Sequence, residues 1–95
     1  MLFEWDSKKA ALNIKKHRIS FQIACTIFND PLHLSIVDLD TTSEERWITM
    51  GRAINNVLLV VVHTYKHRHA KVDIIRIISA RKASKKEKID YEEGV

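Results

Sequence analysis

The spacing of apolar residues changes from helical to strand-like near His33, and that change favours a fold in which two helices precede and cover a sheet. Before His33 the period is helical. Asp6 stands where an N-cap carboxylate belongs, and the following SKKAALNIKKH carries Ala10, Ala11 and Ile14, with Leu12 beside them, as an apolar stripe. Arg18 comes next, where a helix end favours a left-handed residue, usually Gly, so the turn is expected to be imperfectly capped at a cost of about 1 kcal/mol. Ser20 then caps a second helix, with Phe21, Ala24, Cys25 and Phe28 at i, i+3, i+4 and i+7, and Asn29-Asp30-Pro31 ends it.

Beyond His33 the chain is rich in Val, Ile and Thr, and residues 33–39, 45–54, 57–66 and 71–80 read as four strands of an antiparallel meander. Leu2 to Trp5 reads as a short strand or extended lead-in. Asn55-Asn56 serves as a two-residue hairpin turn, which pairs Ile54 with Val57 and Arg52 with Leu59. In that register Leu58, Val60 and Val62 share a face with Trp47, while Arg52, Leu59, Val61 and His63 share the other. A regular next hairpin adds Ile75 and Ile77 to the first face and Ile74, Arg76 and Ile78 to the second. Ser84 and Glu87 have capping-box spacing, which predicts a last helix from Lys85 to about Glu93, stopped by Gly94. The expected fold class is α+β: two N-terminal helices packed on a four-stranded antiparallel sheet, with a short C-terminal helix.

Ninety-five residues make one domain, 1–95, and two Gly with one Pro argue against a low-complexity chain. The lone Cys25 has no internal disulfide partner and sits on an apolar helix face, where packing explains it better than nucleophilic chemistry. The N-terminus mixes acids and lysines where an export signal needs an apolar stretch, and the longest apolar run, 57–62, is far short of the roughly 20 residues that span a bilayer. A cytoplasmic protein without membrane contact is expected. The net charge of +4 is unevenly spread. Between Tyr65 and Lys88 stand nine Lys or Arg against two acids, Asp73 and Glu87, the footprint of a polyanion site or of a solvated basic face.

Cutting RNA without a metal requires a base for the attacking 2′-hydroxyl, an acid for the leaving oxygen, and cations for the developing charge. Arg52, His63 and Arg76 are expected to converge on one sheet face, with Arg81 and Lys82 emerging at the end of the last strand. Ion pairs of Arg52 and Arg76 with Asp38, Asp73 or Glu45, and a hydrogen-bonded His63 in a half-buried strand, are the structural alternatives. Lys15, Lys16 and His17 suit the dipole of the first helix without further explanation. Trp5 and Trp47 are candidates for base stacking or for the core. His63, His67 and His69 are interrupted by Lys66 and Arg68 and make a poor metal trio. Asp38, Asp40, Glu44 and Glu45 read as strand-end and loop acids. No metal or other cofactor is expected.

Phe3-Glu4-Trp5-Asp6, Lys15-Lys16-His17 with Ile19-Ser20-Phe21, Phe28-Asn29-Asp30-Pro31, Glu45-Arg46-Trp47-Ile48, Gly51-Arg52, LLVVVHT at 58–64, and IRIISARKA at 75–83 followed by Glu87 and Tyr91 together resemble the BrnT toxin family. The order and spacing of these pieces carry the resemblance across nearly the whole chain. It implies a fold like that of the RelE-type toxins, a ribonuclease that inhibits translation, and neutralisation by a BrnA-like antitoxin with a ribbon-helix-helix DNA-binding part. DNA would be reached only through that antitoxin, in a heterotetramer built on an antitoxin dimer. With the resemblance added, Arg52, His63, Arg81 and His17 are the expected catalytic residues, and Trp5, Lys16, Arg76 and Lys82 the expected RNA contacts. Two departures stand out: Arg18 where the family usually has Gly, and His67-Arg68-His69 in place of a shorter turn. The rival readings are a non-catalytic basic domain that binds an acidic antitoxin segment and co-regulates its operon, and a plain RNA-binding module.

Overall fold

The computed structural model describes residues 1–39, 46–68 and 72–94, with His67 and Arg68 as backbone only. The elements are β1 (Leu2–Trp5), α1 (Ser7–His17), α2 (Phe21–Ala24) continued by a 3-10 turn (Cys25–Asn29), β2 (Leu34–Asp38), β3 (Arg46–Arg52), β4 (Leu58–Arg68), β5 (Val72–Lys82) and α3 (Lys85–Glu93). The α+β class is as expected, but the sheet has five strands in the order β1-β5-β4-β3-β2 and is mixed, because β1 pairs in parallel with β5. What read as a possible lead-in is therefore an edge strand. Its alternation explains this: Phe3 and Trp5, paired with Ile75 and Ile77, join the apolar side that the helices cover.

β1 stops at Trp5, opposite Ile77, and leaves the outer edge of β5 bare beyond it. The side chain of Asn13 takes over. Its Nδ2 donates to the Ala80 carbonyl at 2.9 Å, and the Ala80 amide donates to its Oδ1 at 3.1 Å, as a neighbouring strand would. Nδ2 also donates to the Ile19 carbonyl at 3.0 Å, which ties down the start of α2. The inward residues of α1 are thus Ala10, Asn13 and His17; Leu12 and Ile14, expected on the apolar stripe, are exposed. In the second helical segment, the 3-10 turn brings Ile27 rather than Phe28 into line with Phe21 and Ala24, all three fully buried. Arg18 does adopt the left-handed conformation, at φ 61° and ψ 31°, and its amide closes α1 on the Ile14 carbonyl.

Strand register differs from expectation by one residue. The β3–β4 loop has three residues, 54–56, not two: the Ala53 amide donates to the Val57 carbonyl and the Asn56 amide to the Ala53 carbonyl, with Asn56 left-handed at φ 68°. Arg52 therefore faces Leu58, and Trp47 faces His63. A β-bulge follows in β5, where Val62 pairs with Ser79 but His63 pairs with Ile77, leaving Ile78 extra. The helix-covered face accordingly holds Trp47, Leu59, Val61, His63, Ile75, Ile77 and Ala80, and most of these build the core with Ile19, Phe21, Ala24 and Ile27. The other face holds Arg52, Leu58, Val60, Ile74, Arg76 and Arg81. Gly51 lies on the covered side, where an added Cβ would stand 3.0 Å from the Ile27 carbonyl oxygen.

Candidate active site

The open face of the sheet concentrates positive charge. Arg46 and Arg52 of β3, Lys66 of β4, and Arg76 and Arg81 of β5 all project from it, as their pairings with open-face partners require. Arg52 lies opposite Leu58 and Arg81 opposite Val60, so they flank β4 with Cα atoms about 12 Å apart, from two strand spacings across and two residues along. Arg76 lies further along β5, opposite Thr64, and pairs with Glu4 at 3.6 Å.

α3 returns over the Arg52 and Arg81 end of this face because Ser84 and Glu87 form the expected capping box, which fixes where the helix starts. Glu87 and Tyr91, one turn apart, then reach the two arginines. Glu87 holds the Arg81 guanidinium by two bonds of 2.8 and 3.0 Å, while the Tyr91 ring lies 5.4 Å from the Arg52 guanidinium carbon. The hydrogen bond from Arg81 pulls the Glu87 carboxyl down to about 2, against opposing desolvation. The same partner raises the Arg81 guanidinium above its ordinary range.

Asp30 joins three elements at this end. It accepts the Tyr91 hydroxyl in a short hydrogen bond, the Arg52 amide at 2.8 Å and the Leu32 amide at 2.9 Å. Burial acts to raise its carboxyl, yet the Tyr91 hydroxyl and the two amides outweigh it and hold the group below the usual range. The bond to Asp30 raises the Tyr91 phenol. Beside this cluster a cleft of about 360 Å³ is lined by Thr26, Asn29, Asp30, Arg52 and Asn56.

The structure brings Arg52, Arg76 and Arg81 to one face and separates His63 from them. His63 is 3% exposed on the covered side. Its Nδ1 lies 3.1 Å from the Thr64 carbonyl, which only accepts, so that nitrogen carries the proton and Nε2 accepts the Thr49 hydroxyl at 2.7 Å. Ser35 bonds Thr49 in turn, and Phe28 meets the imidazole edge to face. Burial lowers its pKa, so it is a neutral, satisfied residue. The expected convergence of Arg52, His63 and Arg76 is corrected by the one-residue longer loop.

Trp5 is half-buried on the covered side, edge-on to Phe21, and Lys82 lines a groove there with Arg18, Ile23 and Asn55. Lys16 and His17 line a different cleft, between α1 and β5, beside Ser79. Desolvation raises the Cys25 thiol, as suits a packing role. Among the described residues no group of His, Cys, Asp or Glu is arranged to hold a metal, and His69, Asp40, Glu44 and Glu45 lie outside those residues. Asp30 and Tyr91 were visible in the sequence only as motif letters. Their one local signal is that Tyr91 follows Glu87 by four residues, on the same side of a helix.

The family model described as "Ribonuclease toxin, BrnT, of type II toxin-antitoxin system" matches residues 5–87. The chain belongs to the BrnT family. The crystal structure of the Brucella abortus ribonuclease toxin, BrnT, is similar in fold, with a TM-score of 0.53 and 21% identity over 90% of this chain and 100% of that one. No curated protein sequence matches the chain. Membership of this family makes the chain a toxin of a type II system, with ribonuclease activity as the family function, and implies an RNA substrate and an antitoxin partner. Among the described residues no helix is long and apolar enough to cross a membrane.

Proposed function

We propose that the chain is a metal-independent endoribonuclease that cuts RNA on the open face, beside Arg52 and Arg81, and thereby inhibits translation in the cytoplasm. The observation that carries this reading is the pair of arginines flanking β4, each oriented by α3: Arg52 beneath the Tyr91 ring and Arg81 in the fork of Glu87. α3 covers Leu58 and Val60 between them, so a phosphate meets the two guanidinium groups at the rim of that helix, where their fixed direction stabilises charge that builds up as the 2′-oxygen bonds to phosphorus and the 5′-oxygen leaves. Arg76 extends the positive field along the scissile strand. His17 is the proton-transfer residue of this reading, since it lies half-buried in the cleft between α1 and the edge of β5 beside Ser79, whereas His63 is sealed among its partners. The products are a 2′,3′-cyclic phosphate and a free 5′-hydroxyl. The partner in this reading is a BrnA-like antitoxin that covers the basic face. Its dimeric ribbon-helix-helix part binds DNA and bridges two toxins.

Incubation with total RNA in EDTA tests it. Wild type is expected to leave cyclic phosphate ends, and Arg52→Ala or Arg81→Ala to lose about 10²- to 10³-fold in rate, as for removal of one preorganised oxyanion donor. Full activity of the double variant, or activity abolished by EDTA, overturns the reading. The burial of His63 favours a second reading, a basic module that binds RNA without cutting it, which predicts affinity and no new ends.

A further inference from the structure

A second basic feature lies outside the open face. One side of α1 carries Lys9, Leu12, Asn13 and Lys16 at i, i+3, i+4 and i+7, and with Lys15 and His17 these residues line a cleft of about 440 Å³ whose other wall is Ile78 and Ser79 of β5. No acid lines it. None of the three lysines makes an ion pair among the described residues; the nearest acid in sequence, Asp6, caps α1 through the Lys8 and Lys9 amides and also feels the Lys9 charge at longer range.

Two structural features make this a built cleft. Asn13 anchors α1 against β5 at Ala80, which sets the distance between the walls. The β-bulge at Ile78 lies in the opposite wall, and bulges of this kind re-aim side chains beside functional sites. Ser79, next to the bulge, lies between Arg76 and Arg81 along β5 and lines the cleft, so the cleft runs along the β5 edge of the face that bears the arginines. Lys9 and Lys16 stand about 10 Å apart along the helix, a span suited to a run of backbone phosphates rather than a single anion.

We infer that this cleft is a backbone-binding channel for single-stranded RNA, holding the phosphates that flank the cut bond on the β5 side, with Lys9, Lys15 and Lys16 as its cationic wall. The inference rests on the reading of the open face as the RNA site. Charge complementarity decides the occupant: three lysines without an ion pair among the described residues meet a polyanion, and neutralisation makes binding dependent on salt through counterion release.

The experiment is fluorescence anisotropy of a labelled, uncleavable 2′-O-methyl RNA dodecamer and a tetramer across a salt series. Wild type is compared with Lys9→Gln, Lys15→Gln, Lys16→Gln, a variant that keeps good helix formers at exposed positions. With a slope of about 0.7 per neutralised phosphate on a single strand, three lost contacts lower the slope of log K against log salt by about 2. Wild type should prefer the dodecamer, and the variant should bind both lengths about equally. Replacing the same lysines with Arg should restore the slope. An unchanged slope overturns the inference, as does weakened binding of an oligoglutamate peptide with dodecamer affinity intact, which would assign the cleft to an acidic protein segment. RNA cleavage by wild type with an unchanged slope sinks the channel alone. A shifted slope without cleavage of any RNA sinks the ribonuclease reading alone.

Discussion

Asn13→Ala tests whether a single carboxamide replaces the missing neighbour of β5. The substitution deletes three hydrogen bonds: from Nδ2 to the Ile19 and Ala80 carbonyls, at 3.0 and 2.9 Å, and from the Ala80 amide to Oδ1, at 3.1 Å. Asn13 is 6% exposed and Ala80 fully buried, so the stranded backbone groups find little solvent. At a net contribution of about 1 kcal/mol per bond the loss is about 3 kcal/mol. For a domain of this length each kcal/mol moves Tm by roughly 4–8 °C, so a drop of about 12–24 °C is expected. Urea denaturation should show a lower midpoint at an unchanged m-value. Asn13→Asp sharpens the test. It keeps the acceptor for the Ala80 amide but turns a charged oxygen toward the two carbonyls, so it should fall below the Ala variant at neutral pH. It should recover as acidification restores a donor. A loss under about 1 kcal/mol in Asn13→Ala, or an Asp variant as stable as wild type at neutral pH, refutes the reasoning.

Arg18→Gly should stabilise the protein by about 1 kcal/mol in the same assay, because Arg18 sits at φ 61° on the surface and Gly adopts that conformation without the Cβ clash. Gly51→Ala should destabilise by about 1–3 kcal/mol, since its Cβ meets the Ile27 carbonyl oxygen at 3.0 Å and the His33 Cβ at 3.1 Å in a packed layer. Glu87, lowered from 4.5 to about 2, contributes stability that is complete above pH 4.5 and lost as pH falls toward 2. Glu87→Gln should flatten that limb of a urea-midpoint profile, by a small amount because the pair is partly solvated.

Local chemistry was legible from the sequence, and distant pairing was not. Asp6, Ser20 and the Ser84–Glu87 box declare three helix starts through side chains adjacent to the amides they cap. The runs of β-branched residues likewise declare β3, β4 and β5 to within about two residues. β1 was ambiguous because its partner is about 70 residues away, and no four-residue stretch announces a parallel pairing. Asn13 was hidden for the same reason. A polar residue on a helix surface reads as solvated until the edge of β5 supplies backbone groups for it. Tyr91 and Asp30 carry no signature of the bond between them, since that bond exists only once α3 has folded back over the end of β3.

The placement of the arginines follows from two insertions of one residue each. Side chains alternate along a strand, so a loop of three residues rather than two between β3 and β4 moves Arg52 to the face of Leu58, Val60 and Thr64 and leaves His63 behind on the other. Arg76 and Arg81 are five apart, an odd number that would put them on opposite faces of a regular strand. The extra residue at Ile78 reverses that parity. It lets Ile75, Ile77 and Ala80 all enter the core while Arg76 and Arg81 both stay on the open side. One bulge thus satisfies the packing of β5 and the assembly of the basic face together. Because Ile78 also lines the α1 cleft, the irregularity that aligns the arginines is the one that opens the proposed route for the RNA strand beside them.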